Sequence, residues 1–590
     1  MKKIIQLNGA WEFTLNGESP ELSSFPDNAY PIGKWLKAHV PGTVHTDLIE
    51  NSIIEDPFHR NNELNVQWVD QVNWIYRKEF EVTDDFLNNP TIYLIAEGLD
   101  TIATIFINNQ MVAQIQNMHI EHRLDVKQLL VKGNNEIRIH FDSAIVHAKQ
   151  LEDRFGVLSH THESYRLYVR KAQYSFGWDW GPKLATCGIW KSIYLAAVEN
   201  TQISDVFVES KLNDSFSTAY LDVQIQLERN IEIKDEVCVV VHLNGTKKEV
   251  KVSEDFISVP FEITDPELWW PAGYGEQKLY NLKVEVFLNG RKQDERLLKF
   301  AIRKVELIQE KDQWGHSFYF KINNTPIFCK GANWIPADSF IPRVTNEKYR
   351  ELLQLAREAN MNMIRIWGGG IYEQNIFYEL CDELGFLVWQ DFMFACGAYP
   401  EYPEFKENVS QEIESIVKRL RNHPSIVIWC GNNENEWIWQ RSTGESYKKM
   451  PGYNLFHELI PEICHKLDPS RPYWPSTPFG GEHPNSPEQG NRHQWDIWSG
   501  WQDFSTVVED NGRFISEFGF QAPASLSTWE KFTVPEDRRP QSEIMEFHNK
   551  QEEGTERLFR YLAGHVVLPT SFEDFIYKCQ VVQGEALKNC

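Results

Sequence analysis

Short runs in which apolar and polar residues alternate dominate residues 1–200. Clear examples are residues 74–80, 91–95 and 136–141. A period of two predicts β-strands that bury one face, and the turns between them predict a β-sandwich of the jelly-roll type. A second strand-rich block, residues 201–303, includes the apolar runs 220–227 and 238–243. Its length of about 100 residues is typical of an immunoglobulin-like sandwich.

From residue 304 onward, short apolar runs alternate with helical patterns, which predicts a parallel sheet closed into a (β/α) barrel. We predict seven strands, at residues 326–329, 363–367, 387–391, 426–429, 473–476, 493–498 and 514–517. We predict helices at residues 346–360, 375–384, 407–421, 554–563 and 571–587. The predicted catalytic domain therefore spans residues 304–590 and is an eight-stranded barrel fold without its last strand.

Composition narrows the classes of function. The 590 residues carry a net charge of −25, which argues against nucleic acid or an anionic membrane as the main partner. The N-terminus lacks the apolar core of a signal peptide, and no stretch is long and apolar enough to span a membrane. Nine cysteines are scattered without a CxxC pair, so neither a disulfide framework nor a zinc site is predicted. We expect reduced thiols and a cytoplasmic location.

Two glutamates lie at the carboxyl ends of predicted barrel strands. Glu434 lies in IWCGNNENEW after the fourth strand, and Glu517 lies in RFISEFGFQ at the end of the seventh. Because catalytic groups of such barrels sit at the carboxyl ends of strands, both glutamates are expected at one mouth. Glycoside hydrolysis needs such a pair, one carboxyl protonated and one ionised. We expect Glu436 to brace the loop or to cap a helix.

Several segments together resemble glycoside hydrolase family 2, and within it the β-mannosidases. The barrel segments that carry the resemblance are NMIRIWGGGIYE, LCDELGFLVWQDFMFAC, IWCGNNENE and RFISEFGFQ. The first domain adds LNGAWEF, VPGTVHTDLIE, DPFHRNNE and RKAQYSFGWDWGP. The resemblance therefore covers nearly the whole chain. It implies an exo-acting enzyme that releases terminal β-D-mannose from β-mannoside oligosaccharides by double displacement, without a cofactor or metal.

Carried over to this chain, the resemblance assigns roles to individual residues. Glu434 would be the general acid/base and Glu517 the nucleophile, with their carboxyls about 5–5.5 Å apart. The residues expected to contact the sugar are Trp178, Asp179, Trp367, Asn433 and Trp495. Asn433 would contact the 2-hydroxyl, while Trp178 and Asp179 would reach the terminal sugar from the first domain. FGWDWGP can alternatively be an aromatic packing corner, above all at Trp180.

Arg365 has two interpretations of equal weight. It can hold Glu517 ionised, or it can form a structural ion pair with Asp391. The sixth strand of family members often presents His-Tyr-Trp, whereas this chain has His493, Gln494 and Trp495. A tyrosine hydroxyl beside the nucleophile is therefore not expected.

Two further alternatives stay open at this point. The chain can be another family 2 exo-glycosidase, such as a β-galactosidase, a β-glucuronidase or an exo-glucosaminidase. It can also be a carbohydrate-binding protein without turnover, because a truncated barrel can keep its sugar contacts and lose catalysis. A barrel without its last strand also exposes unpaired strand edges and leaves a gap in its apolar core. On that ground we expect a truncated chain of low stability and weak activity.

Overall fold

The computed structural model describes residues 3–16, 33–229 and 236–590. The predicted first domain, residues 1–200, and second domain, residues 201–303, thus each include positions outside the described residues. Three units follow one another along the chain: two antiparallel β-sandwiches and a parallel barrel. This agrees with the predicted fold class. No helix among the described residues combines the length and apolar character needed to cross a bilayer.

The first sandwich packs a six-stranded sheet against a four-stranded one. The six strands in spatial order are Leu36–Val40, Gly9–Leu15, Trp74–Val82, Gly133–Asp142, Ile102–Ile107 and Gln110–Ile115. The four strands are Lys3–Gln6, Ile193–Val198, Thr91–Ala96 and His122–Asp125. Alternate residues point inward, so that Ile137, Ile139 and Phe141 of one strand are fully buried.

The second sandwich has a three-stranded and a four-stranded sheet. Their strands in spatial order are Thr201–Leu212, Thr218–Arg229 and Phe256–Thr264, then Thr246–Val252, Val237–Leu243, Tyr280–Leu288 and Arg291–Phe300. The strand Phe256–Thr264 alternates exposed and buried positions along its whole length. This alternation is expected for a sheet with one solvent-exposed face and one face packed against the core.

The barrel contributes seven parallel strands in two groups. Five form one sheet: β1 (Gly331–Trp334), β2 (Met363–Ile366), β3 (Leu387–Asp391), β4 (Ile426–Cys430) and β5 (Tyr473–Trp474). The other two, β6 (Arg492–Gln494) and β7 (Ile515–Phe518), pair with each other. Strands β2 to β4 are buried at every position, as expected for strands covered on both faces.

The predicted first barrel strand, residues 326–329, is wrong. Thr325–Ile327 instead pairs antiparallel with Tyr319–Ile322, and Val305–Ile308 completes this small sheet. The chain enters the barrel only at Gly331, where a Cβ atom would lie 1.9 Å from the carbonyl oxygen of Met363. The apolar run belongs to a hairpin, and the true strand GANW carries a weaker apolar pattern.

Helices cover the outside of the barrel. Their bounds are Asn346–Glu358, Asn375–Leu384, Pro403–Leu420, Asn435–Thr443, Ile460–Leu467, Leu526–Phe532, Glu543–His548, Gly554–His565 and Phe572–Asn589. The helix Pro403–Leu420 starts earlier than predicted because proline is favoured in the first helical turn. Its inward stripe includes Phe405, Val409 and Ile413, spaced four residues apart and buried.

The first sandwich is locked onto the barrel by buried charges. Arg170 donates two hydrogen bonds, of 2.8 and 2.7 Å, to the carboxylate of Glu412 on the helix Pro403–Leu420. Asn117 and Tyr372 donate to the same carboxylate at 2.9 and 2.7 Å. Both charged side chains are fully buried. The loop that contains FGWDWGP is thereby held over the carboxyl ends of the barrel strands.

Candidate active site

Glu434 and Glu517 lie side by side at the carboxyl end of the barrel. Glu434 follows β4 and has φ of +65°, and its backbone N–H donates to the carbonyl oxygen of Thr477 at 2.8 Å. Glu517 lies within β7. One carboxyl oxygen of each glutamate and a ring nitrogen of His493 all lie within 4.8 Å of one another. The structure therefore brings the two predicted carboxyls together around one small space.

The Glu434 carboxyl is held from both sides. Nδ1 of His493 lies 2.6 Å from its Oε1, and the thiol of Cys396 donates to its Oε2 at 3.3 Å. Burial raises the pKa of Glu434 to about 6, although the hydrogen bond from Cys396 and the charge of Arg365 act in the opposite direction. A carboxyl with a raised pKa is suited to carry a proton near neutral pH.

His493 is a neutral ring between the two glutamates. Burial lowers its pKa to about 3. Its Nδ1 also lies 3.6 Å from Oε1 of Glu517, while Nε2 lies 2.8 Å from the hydroxyl of Thr477. With Nδ1–H donating to Glu434, Nε2 accepts from Thr477, so one tautomer satisfies both ring nitrogens.

Arg365 joins the nucleophile candidate to the centre of the barrel. Its Nη1 donates to Oε2 of Glu517 at 2.5 Å, and its Nη2 donates to Asp391 at 2.7 Å. Burial acts to lower the pKa of Arg365, but Asp391 and Glu517 raise it above its usual value. Both interpretations of this arginine therefore describe contacts that are present at once.

Asp391 and Asn433, two further partners of that arginine, are both buried. Burial raises the pKa of Asp391 to about 6, with Arg365 acting against the rise. Asn433 accepts from Nη2 of Arg365 at 2.7 Å and donates to Cys396 Sγ at 3.3 Å. Its expected contact with a sugar hydroxyl stays a prediction.

An aromatic wall comes from the first sandwich. Trp178 and Trp180 contact Trp367 edge to face, with ring centroids 4.9 and 5.5 Å apart. Trp178 is 8% exposed, whereas Trp180 is 40% exposed. The packing alternative was given above all for Trp180, yet Trp180 is more exposed to solvent than Trp178. Between them, burial raises the pKa of Asp179 to about 6, and the charges of Glu434 and Glu517 add to the rise.

The sixth strand differs from the expectation in detail. Gln494 is buried and accepts from the backbone N–H of Ile497 at 3.4 Å. Trp495, half-buried, forms a side-chain hydrogen bond to Glu434, which acts to lower the pKa of that carboxyl. The residue of this strand that touches both glutamates is His493. Sequence reasoning missed that role, although its place one residue before Gln494 at a strand end was a usable signal.

Cys396 and Glu436 complete the surroundings. Cys396, which also went unpredicted, follows β3 in the left-handed region with φ of +52°. Glu436 lies in the first turn of the helix Asn435–Thr443 and contacts His457 Nε2 at 3.0 Å. Its carboxylate also accepts from Asn432 at 3.3 Å. Glu436 therefore braces the loop and does not face the mouth.

The site also has the spacing of a metal centre. Glu434, His493 and Glu517 are the one such group among the described residues. Here, however, the guanidinium of Arg365 already lies against Glu517, and its positive charge compensates the carboxylate. The donor set is therefore satisfied by side chains of the chain itself.

Comparison with known domains covers most of the chain. The domain described as glycosyl hydrolase 2 galactose-binding domain-like matches residues 11–191. The glycosyl hydrolases family 2 domain matches residues 201–303, and the family 2 TIM barrel domain matches residues 316–475.

Similar proteins carry one activity in their names. Beta-mannosidase B of Emericella nidulans is 38% identical over 98% of this chain and 70% of that protein. Beta-mannosidase B of Aspergillus fumigatus is 38% identical over 100% of this chain and 71% of its own length. The crystal structure of a β-D-mannosidase from Dictyoglomus thermophilum superposes with a TM-score of 0.93 and 46% identity, covering 100% of this chain and 72% of that one.

Proposed function

Because this chain belongs to glycoside hydrolase family 2, we propose that it removes terminal β-D-mannose from the non-reducing ends of oligosaccharides, with retention of configuration. The β-mannosidases that it resembles over almost its whole length support this substrate. The enzyme class is hydrolase, and the partner is a β-mannoside oligosaccharide.

One observation carries the mechanism: carboxyl oxygens of Glu434 and Glu517 lie within 4.8 Å of each other. Retaining glycosidases hold their two carboxyls about 5–5.5 Å apart, and inverting enzymes about 6.5–9.5 Å apart to admit a water. The short separation supports direct attack by one carboxylate on the sugar.

The surroundings of each glutamate support distinct roles. Glu517, ion-paired with Arg365, is the nucleophile and forms a bond to the anomeric carbon. Glu434, with its raised pKa, gives its proton to the departing glycosidic oxygen. Water then cleaves the glycosyl-enzyme, and Glu434 takes a proton from that water. Glu517 leaves as a carboxylate, so protons and charges balance over the two steps.

The wall of Trp178, Asp179 and Trp180 supports attack at chain ends. These residues come from the first sandwich and stand against Trp367 of the barrel. In the proposal, this wall on one side of the two glutamates blocks a chain that continues past the non-reducing end. Asp179, whose carboxyl responds to the charges of Glu434 and Glu517, would accept hydrogen bonds from outer hydroxyls of that terminal sugar.

Kinetics of two variants test the assignment. Glu517→Gln is expected to abolish turnover of a chromogenic β-mannoside. Glu434→Gln should retain the first step for substrates with good leaving groups, accumulate a glycosyl-enzyme, and regain turnover with azide. If kcat/KM on a β-galactoside, β-glucuronide or β-glucosaminide exceeds kcat/KM on the β-mannoside, that sugar is the substrate instead of mannose. Mannoside binding without turnover in the unaltered chain would contradict catalysis.

We also propose a cytoplasmic location. Its support is chemical: all nine cysteines are free, and five of them are buried. Unpaired thiols in this number suit a reducing compartment. Fractionation of the native host, with a periplasmic or extracellular marker alongside, tests this location.

A further inference from the structure

A cavity of about 240 Å³ lies in the seam between the second sandwich and the barrel. It is at the opposite end of β4 from Glu434, because its lining includes Pro424, two residues before that strand starts. The described residues that line it include five basic side chains and no acidic one: Lys211, Arg303, Lys304, Arg421 and Arg471. In a chain of net charge −25, this is an unusual concentration of positive charge.

Four of these five cations have carboxylate partners outside the lining. The pairs are Lys211 with Glu209, Lys304 with Glu306, Arg421 with Asp205 and Arg471 with Asp468. The first two pairs are on the surface, where such ion pairs contribute little. The positive charge of the fifth cation, Arg303, is thus left in surplus.

Arg303 has no carboxylate partner among the described residues. It donates to the backbone carbonyl oxygens of Pro424 and Ile426 at 2.5 and 2.6 Å. Nε of Arg421, whose side chain is 8% exposed, finds no acceptor in the described part of the chain either. Burial, and then the charge of Arg471, lower the pKa of Arg303 to about 9, against the charges of Asp468 and Asp382, and burial lowers the pKa of Arg421. The guanidinium of Arg303 thus carries a positive charge that no carboxylate among the described residues contacts directly.

We propose that this cavity binds a phosphate group, either as inorganic phosphate or as a small phosphomonoester. Guanidinium groups match the tetrahedral oxyanion with paired N–H donors, and they are hydrated weakly enough to sit in a seam. The remaining volume has room for a small organic group beside the phosphate. Because Arg303 is the last residue of the second domain and Arg421 and Arg471 belong to the barrel, a bound phosphate would tie the two units together.

Titration calorimetry and thermal melting of the whole chain test the site. The probes are sodium phosphate and glycerol 3-phosphate, against sodium chloride at matched ionic strength. We expect saturable binding with a dissociation constant of about 1 mM or tighter, and a higher melting temperature. Tighter binding of glycerol 3-phosphate identifies a phosphomonoester site, while equal binding identifies a site for free phosphate. No saturable binding of either probe overturns the proposal.

Three variants locate the binding. Ser210→Asp places a carboxylate in the cavity wall, so it should remove phosphate binding while the chain stays folded and melts at an equal or higher temperature. Ser215→Asp, on the exposed turn after the same strand, is the matched control and should bind as the unaltered chain does. Arg303→Gln should weaken binding at least tenfold. Phosphate binding that survives Ser210→Asp, or is lost equally in Ser215→Asp, contradicts this location.

Discussion

His493 Nδ1 lies 2.6 Å from Oε1 of Glu434, and the ring is neutral because burial lowers its pKa to about 3. An N–H donor stabilises the ionised form of a carboxyl and so lowers its pKa. Replacing this ring with His493→Phe should therefore raise the pKa of Glu434 and shift the basic limb of the kcat/KM profile to higher pH.

The same variant should lose roughly 10- to 100-fold in kcat, because the acid/base carboxyl is no longer held in place. His483→Phe, at an exposed position, serves as the control and should leave both the profile and kcat unchanged. If the basic limb of the kcat/KM profile stays at the same pH in His493→Phe, the ring only packs against Glu434 and does not affect its pKa.

The pH profile of the unaltered chain follows from Glu434. Its pKa is raised by burial to about 6, and the first chemical step of the proposed mechanism needs the protonated form. We expect kcat/KM to fall as pH rises through about 6. A kcat/KM profile that stays flat from pH 5 to pH 8, measured finely enough to resolve a pKa difference of about one unit, would contradict the acid role of Glu434.

Arg365→Lys keeps the charge but loses the planar fork that serves Glu517, Asp391 and Asn433 together. We expect kcat to fall by roughly 10²- to 10³-fold, with the fold retained in circular dichroism. Arg343→Lys is a suitable control, because Arg343 makes a two-pronged pair with Asp338 at the surface. Equal, small losses in both variants would contradict a special role for Arg365.

Glu412→Gln should loosen the first sandwich from the barrel. It leaves Arg170 buried without its counter-charge, which costs about 3–5 kcal/mol. The melting temperature should fall clearly, whereas Glu414→Gln, two residues away in an exposed pair with Lys418, should melt like the unaltered chain. If the two variants melt at the same temperature, the Arg170–Glu412 pair does not hold the first sandwich on the barrel.

The same pair predicts a dependence of stability on pH. Burial alone would raise the pKa of Glu412, but Arg170 outweighs it and lowers the pKa to about 2. The stabilisation is complete above the ordinary pKa of 4.5 and is lost as pH falls from there towards 2. Melting curves between pH 6 and pH 3 should show a smaller loss in Glu412→Gln than in the unaltered chain.

Local patterns were enough for the buried parallel strands and for the positions that follow them. Residues 387–389, which open the predicted strand 387–391, and residues 426–429 are continuous apolar runs, so β3 and β4 and the polar exit at Glu434 could be predicted. The strand at Gly331 could not, since its packing depends on the close approach to Met363 rather than on its own hydrophobicity.

The environment of the carboxyls was less accessible to prediction. The contacts of Glu434 with His493 and Cys396 join segments 59 and 38 residues apart, and their geometry depends on how the barrel closes. Arg365 could be named but not assigned to one partner. Its guanidinium donates to Glu517, Asp391 and Asn433 at the same time, and the order of residues in the sequence does not show which acceptors share one donor.

The rings that face Trp367 belong to the first sandwich, whereas the two glutamates belong to the barrel. In the proposed mechanism, the position of attack on the substrate and the cleavage of the bond thus depend on separate domains of the chain. Mutations in the FGWDWGP loop can therefore change whether the enzyme acts at chain ends, while Glu434 and Glu517 stay unchanged.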